Sequence, residues 1–227
     1  MSIPITCVDN FYSDPDKVRD WALGLDYYPA APQYDFPGER TQLLDALDQE
    51  FFDNFCEKLF SIFYDFSSPV NWICHTHFQK IYSRHENYNN PLNSGWVHID
   101  RNNVFAGVIY LNKNTTANSG TSIFSPNEKF SSVEDLDFSY RNKFYHNEEI
   151  DLEEYSQKVQ EHNEKFDLTL DIKNKYNRLI CYDYDTWHKE SNFCMKNEEF
   201  RLTQVFFVKQ LNAHSFVNLR MKNINNL

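Results

Sequence analysis

The sequence predicts a mainly β domain with flanking helices, an α+β chain whose core is a sandwich or barrel. Three observations carry this. The 227 residues suit one domain; the longest helix-period apolar pattern lies in the first third; and from residue 70 short apolar runs alternate with Asn, Ser, Gly and Pro clusters. Aromatics make up 17% of the chain, with 20 Phe and 14 Tyr, so the core is expected to be rich in rings and global disorder is excluded.

Residues 4–9 read as a short strand. Asp14 and Pro15 then offer an N-cap and a first-turn residue for the helix DKVRDWALGL. The segment YYPAAPQYDFPGERT has three prolines and one glycine in 15 residues and reads as a loop. From Thr41, residues Leu43, Leu47, Phe51, Phe55, Leu59 and Phe63 recur every fourth position. That spacing predicts one amphipathic helix of about six turns, packed on a sheet. After Ser67-Ser68-Pro69 come the strand-like runs WICHTHFQKIYS, GWVHIDR, NVFAGVIYLN and GTSIFS. Residues 127–175 form a charged, helix-favouring insert in which LEEYSQKVQEHNEKF is the clearest helix. Strands resume in YNRLICYDYDTWH and RLTQVFFVKQL, and the polar tail RMKNINNL is expected to fray. Residues 1–227 thus read as a single domain, with strand and helix support over 1–70 and a β core over 71–215 carrying the insert.

Acidic residues number 33 against 22 basic ones, a net charge of −11, which disfavours nucleic acid as a partner. The N-terminus lacks a basic start with an apolar run, and no stretch approaches the length of a membrane span, so a soluble, cytoplasmic protein is expected. Cys7, Cys56, Cys74, Cys181 and Cys194 are scattered without a CxxC, indicating neither a disulfide framework nor a zinc ribbon.

His98-Ile99-Asp100 lies in GWVHIDR, where strand alternation would put the imidazole and the carboxylate on one face. By itself an H-x-D is as readily an ordinary surface pair. Downstream, His188 follows the apolar run RLICYDYDTW, and Arg201 opens RLTQVFFV with Thr203 on its face. Two His and one carboxylate with open positions make the facial triad of non-haem Fe(II) oxygenases. A guanidinium on a buried strand face needs an anion, for which a dicarboxylate is suited. Other groups have plainer readings: His75 and His77 share a face but lack further zinc ligands at familiar spacing, and Asp183-Tyr184-Asp185 reads as a turn. Trp187 reads equally as core filling or pocket wall, and Cys181 and Cys194 as small hydrophobes. No G-x-S-x-G, P-loop or G-x-G-x-x-G occurs.

In their order WVHIDR, VIYLN, SGTSIF, RLICYDYDTWH and RLTQVFF, these residues resemble the 2-oxoglutarate/Fe(II)-dependent dioxygenases, nearest the prolyl 4-hydroxylase-like branch. The resemblance covers about residues 75–210, and VDNFYSDPDKVRDWAL and FPGERT are similar to that family's leading strand, helix and loop. It implies a double-stranded β-helix, that is a cupin-like jelly roll, with N-terminal helices on one sheet and the insert near the site. It further implies His98, Asp100 and His188 as metal ligands and Arg201 binding the distal carboxylate of 2-oxoglutarate, with Thr203 and Tyr110 assisting and Tyr82 nearby. The activity implied uses Fe(II), O2 and 2-oxoglutarate, yields succinate and CO2, and most commonly hydroxylates a substrate, here an unidentified small molecule or peptide. Two alternatives stay open: a non-catalytic jelly-roll binding or structural module, and a cupin-type metalloprotein that does not use 2-oxoglutarate. Substrate contacts are expected from the insert and the FPGERT loop, with Arg40 and Arg101 as candidates or as plain exposed charges. The oligomeric state is not legible.

Overall fold

The computed structural model describes residues 3–115, 118–195 and 198–213; the tail RMKNINNL lies outside them. Two antiparallel sheets face each other. The larger holds β1 (Thr6–Val8), β2 (Tyr28–Pro29), β3 (Glu39–Arg40), β4 (Val70–Tyr82), β5 (Phe105–Tyr110), β8 (Leu179–Asp183) and β10 (Phe200–Ala213), in the order β1-β8-β5-β10-β4-β3-β2. The smaller holds β6 (Thr121–Pro126), β7 (Phe166–Ile172) and β9 (Trp187–Glu190), in the order β7-β6-β9. Many of these strands are adjacent in space but distant in sequence, as a jelly roll requires.

Helix α1 (Pro15–Leu23) starts where expected, the Asp14 carboxylate accepting from the Lys17 amide at 3.1 Å. The single long helix expected from Thr41 is instead two, α2 (Leu44–Leu47) and α3 (Gln49–Ser61). Asp48 breaks the pattern: its backbone is extended, and its carboxylate accepts from the Phe51 amide at 2.9 Å, capping a new helix in mid-pattern. The apolar period runs on through the break, which is why it conceals it. Phe52, Phe55, Leu59 and Phe60 of α3 join Phe78, Phe105, Leu202, Phe206 and Val208 of the large sheet in one core. Full burial of rings such as Phe55 and Phe206, 5.5 Å apart edge to face, contributes about 1.5–3 kcal/mol each.

Four other expectations are corrected. GWVHIDR is not a strand; it makes one isolated bridge, between His98 and His188. YNRLICYDYDTWH divides at a turn, where the Thr186 amide donates to the Asp183 carbonyl, so β8 and β9 belong to different sheets. The 27–41 loop contains β2 and β3, which extend the large sheet beyond β4. The insert carries α4 (Ser139–Tyr145) and α5 (Leu152–Asn163) but ends in β7, a full partner of β6. Five of the seven β7 residues are exposed, Leu168 and Leu170 among them, and the strand follows directly on the charged helix α5, so the run FDLTLDI is absorbed into the insert. The helices of the insert have a core of their own around Trp96, whose Nε1 donates to the Tyr155 hydroxyl at 2.9 Å. The insert therefore anchors the segment leading into His98.

Candidate metal centre

Strand register decides which side chains share the space between the sheets. On β10, Thr203 pairs with Tyr110 and with Gln79, and Phe207 with Ala106 and His75, so Arg201, Thr203, Val205 and Phe207 point away from the helices. On β6, Thr121 pairs with Glu190 and Ile123 with His188. Ile123 packs with Ala106, Tyr110, Ile180 and Tyr182, which places the His188 and Glu190 side chains on the inner face. His98 reaches the same place from its bridge: the His98 and His188 amides each donate to the other's carbonyl at 2.9 Å.

The structure brings His98, Asp100 and His188 together, one ligand atom of each lying within 4.8 Å of the others. Asp100 offers one oxygen 4.0 Å from His98 Nε2 and the other 3.5 Å from His188 Nε2. Each imidazole is oriented by its own backbone neighbourhood. His98 Nδ1 lies 2.8 Å from the Trp96 carbonyl and His188 Nδ1 2.8 Å from the Thr186 carbonyl. A carbonyl only accepts, so both Nδ1 atoms carry the proton and both Nε2 lone pairs face the carboxylate. That tautomer, held by an outer hydrogen bond, is the one a metal-ligating histidine needs. Burial, with His188 alongside, pushes the His98 imidazole down to about 4, which keeps it neutral and able to ligate at pH 7. The donor set of two nitrogens and one carboxylate on one side matches the facial arrangement that leaves coordination positions open.

Arg201 is 1% exposed. Its Nε donates to the Ser119 carbonyl at 3.1 Å, while Nη2 is buried with no partner. The Thr203 hydroxyl, on the same face, is likewise buried without a partner. Tyr110 sits beside them, its ring 5.4 Å from the guanidinium carbon and its hydroxyl 2.8 Å from the Thr121 hydroxyl. Leaving such groups unsatisfied costs about 1–3 kcal/mol each, and here two of them share one face. Tyr82 is not among them. It pairs with Phe200 and meets that ring edge to face at 5.6 Å, so it faces away from Arg201, and it is 38% exposed. The expectation that it neighbours the co-substrate is corrected: one position along a strand reverses the face.

Other sequence candidates take structural places. Among the described residues His75 and His77 form no metal cluster, and His77 Nδ1 instead binds the Thr41 carbonyl at 2.9 Å. Asp183 holds its turn and accepts from the Ile3 amide. Trp187 packs on Phe130 and Phe166, Cys181 and Cys194 are buried free thiols, and Arg101 is exposed. One residue goes beyond the sequence reading. Glu190 shares the inner face with His188; despite burial, His98 and Arg201 hold its carboxyl below the usual range. The i, i+2 spacing His188-x-Glu190 is the signal that, once the strand is placed, finds it. Arg40, expected either as a substrate contact or as a plain exposed charge, is half-buried on the inner face of β3.

The fold and cluster define a double-stranded β-helix with a His-x-Asp…His centre. The chain belongs to DUF6445, a family of unknown function, whose model matches residues 2–208. It is similar in structure to HygX from Streptomyces hygroscopicus, solved with nickel and 2-oxoglutarate bound, at 10% identity over 90% of this chain and 82% of that one, with a TM-score of 0.53. EvdO2 from Micromonospora carbonacea var. aurantiaca aligns at 12% identity over 93% and 88%, with a TM-score of 0.52. No curated protein matches the chain by sequence. The jelly-roll fold implied by the resemblance is thus the fold observed. Among the described residues no helix is long and apolar enough to cross a membrane.

Proposed function

We propose that this protein is a non-haem Fe(II)- and 2-oxoglutarate-dependent dioxygenase that hydroxylates a small molecule or peptide. The observation that carries the reading is the pairing of the His98-Asp100-His188 cluster with the buried Arg201, whose Nη2 has no partner, on the same inner face. HygX, whose structure holds nickel and 2-oxoglutarate, supports it by fold.

In this reading His98 Nε2, an Asp100 oxygen and His188 Nε2 hold the iron. Arg201, with the Thr203 hydroxyl, receives the far carboxylate of 2-oxoglutarate as a charge-assisted pair, and Tyr110 closes that end of the pocket. When bound, the iron and 2-oxoglutarate supply O2 activation coupled to decarboxylation, yielding succinate and CO2. The chain's own part is positional. The Trp96 and Thr186 carbonyls keep the imidazoles in the ligating tautomer, and Ile123, Ile180 and Tyr182 line the sheets with apolar surface that excludes water.

The test is an anaerobic titration of the metal-free protein with Fe(II) and then 2-oxoglutarate, following the visible metal-to-ligand charge-transfer band. A band that disappears in His188→Ala and weakens in Arg201→Gln supports the reading. Iron binding with no band at any 2-oxoglutarate concentration favours a metalloprotein without that co-substrate, and no iron binding at all defeats both.

A further inference from the structure

Arg40 is the second guanidinium on the inner face, and its position is built. Gly38, at φ +72°, lets the loop lie against β4, where a Cβ would stand 2.0 Å from the Lys80 carbonyl. Gln79 Nε2 donates to the Pro37 carbonyl at 2.7 Å, and the Thr41 hydroxyl accepts from the Phe78 amide at 3.1 Å. Between these ties Arg40 pairs with Gln79, which pairs with Thr203, so it projects into the space between the sheets. The Phe36 ring lies 4.0 Å from its guanidinium carbon and the Phe207 ring 5.2 Å. Its polar contact is long, Nη2 to Gln79 Oε1 at 3.5 Å, and its Nε is buried with no partner.

The charges around it point one way. Asp100 and Glu190 are the carboxylates that act on Arg40 through space, yet among the described residues no carboxylate lies within the 4.0 Å of an ion pair. On the insert, the guanidinium carbon of Arg141 of α4 lies 4.1 Å from the Phe138 ring, and its Nε donates to Asn142 Oδ1 at 3.1 Å. His146 Nε2, just beyond α4, meets Asp35 of the loop at 3.3 Å, so the two cation-bearing segments touch. In a chain with 11 more acidic than basic residues, two half-buried guanidiniums without a carboxylate partner form a receptor for an anion brought from outside. Asp100 and Glu190 stand in the same mouth, which favours a monoanion over a phosphate dianion by simple repulsion.

We propose that the substrate carries a carboxylate, gripped by the guanidinium of Arg40 between the Phe36 and Phe207 rings, with Arg141 closing from the insert. This rests on the oxygenase reading for what happens to the substrate, but not for its binding. Arg40 and Arg201 thereby divide the two anions: Arg201 on β10, tied to the Ser119 carbonyl, takes the co-substrate, and Arg40 on β3, two strands toward the sheet edge beyond β4, takes the substrate.

The test uses the full chain loaded anaerobically with Fe(II) and saturated with 2-oxoglutarate, so that Arg201 is occupied first. Amino, hydroxy and short fatty acids are titrated beside their own primary amides, with inorganic phosphate as a third arm. The readouts are the melting temperature and the visible band, and the melting series is repeated on metal-free protein. The expected result is that at least one acid raises the melting temperature, its amide does not, and Arg40→Gln weakens that binding at least about tenfold while keeping the 2-oxoglutarate band. Arg40→Lys, which keeps the charge without the fork, recovers part of the affinity. The inference is overturned if no acid in the panel binds, if acid and amide bind alike, if phosphate binds better than every acid, or if Arg40→Gln leaves acid binding intact. A band lost in Arg40→Gln also overturns it, by giving Arg40 to 2-oxoglutarate. A band missing from the wild-type chain is the separate failure of the oxygenase reading, and the metal-free melting series then decides Arg40 alone.

Discussion

Strand β10 has two faces that follow opposite rules. Toward the helices it presents Leu202, Phe206 and Val208, all buried among rings, and its polar Gln204 is matched on both ends, by the Tyr12 hydroxyl at 2.6 Å and the Thr76 hydroxyl at 3.1 Å. Toward the small sheet it presents Arg201 and Thr203, equally buried, each with a polar atom that nothing meets. Neighbouring residues of one strand are thus fully satisfied on one side and partly unsatisfied on the other. The lesson is that burial alone does not distinguish core from site; the hydrogen-bond ledger does.

The sharpest break of the comparison is at the metal end. His188→Ala removes one of three ligands, and metal affinity should fall by more than the roughly 10–100-fold that losing an outer partner costs. Metal content after dialysis measures it, and a variant that retains iron would dismiss the cluster. Next, the two faces should differ in what they lose. Phe206→Ala is expected to cost about 3–5 kcal/mol of stability by denaturant unfolding. Arg201→Met, one face away, should cost clearly less than that, because the relief of a desolvated guanidinium with an unmet Nη2 offsets the loss of the cation beside Glu190 and of the bond to the Ser119 carbonyl. It should also weaken 2-oxoglutarate about 10–100-fold in the band titration. If both variants destabilise alike, the inner face is ordinary core.

Gly38→Ala is expected to cost about 1–3 kcal/mol, since its left-handed backbone and its contact with the Lys80 carbonyl both exclude a side chain. Circular dichroism melts would show this, and a neutral result would mean that the loop is not held against β4. The smallest effect concerns pH. Burial, as the largest cause, pushes both His77 and His162 down to about 4 from an ordinary value of 6.5. In the unfolded chain they take up protons near 6.5 that the folded chain refuses, so stability is full above that pH and declines toward 4. Metal-free melts from pH 7 to 4 should fall along that course, and His162→Gln should flatten it.

Much of this was legible in the residues, and the failures have physical causes. Helix α1, strands β4, β5, β6 and β10, and the shared face of Arg201 and Thr203 follow from alternation and order, while the gathering of His98, Asp100, His188 and Tyr110 follows from the family resemblance. GWVHIDR alternates like a strand, but only one bridge holds it, because alternation records a face to be buried and not the presence of a partner. Strand β7 was hidden because it follows directly on the charged helix α5. Tyr82 failed because its side depends on register with Phe200, a relation across strands that one segment does not encode. Arg40 needed the two-residue strand β3, too short to read among prolines.

One feature has a bearing on descent. The spacing of the two histidines is set by reciprocal peptide bonds, His98 amide to His188 carbonyl and back, and each ring is aimed by a carbonyl two residues before it. None of these four contacts draws on the identity of a surrounding side chain. A centre fixed by main-chain atoms is insulated from substitution around it, so lineages are free to rewrite nearly every neighbour while inheriting the same geometry.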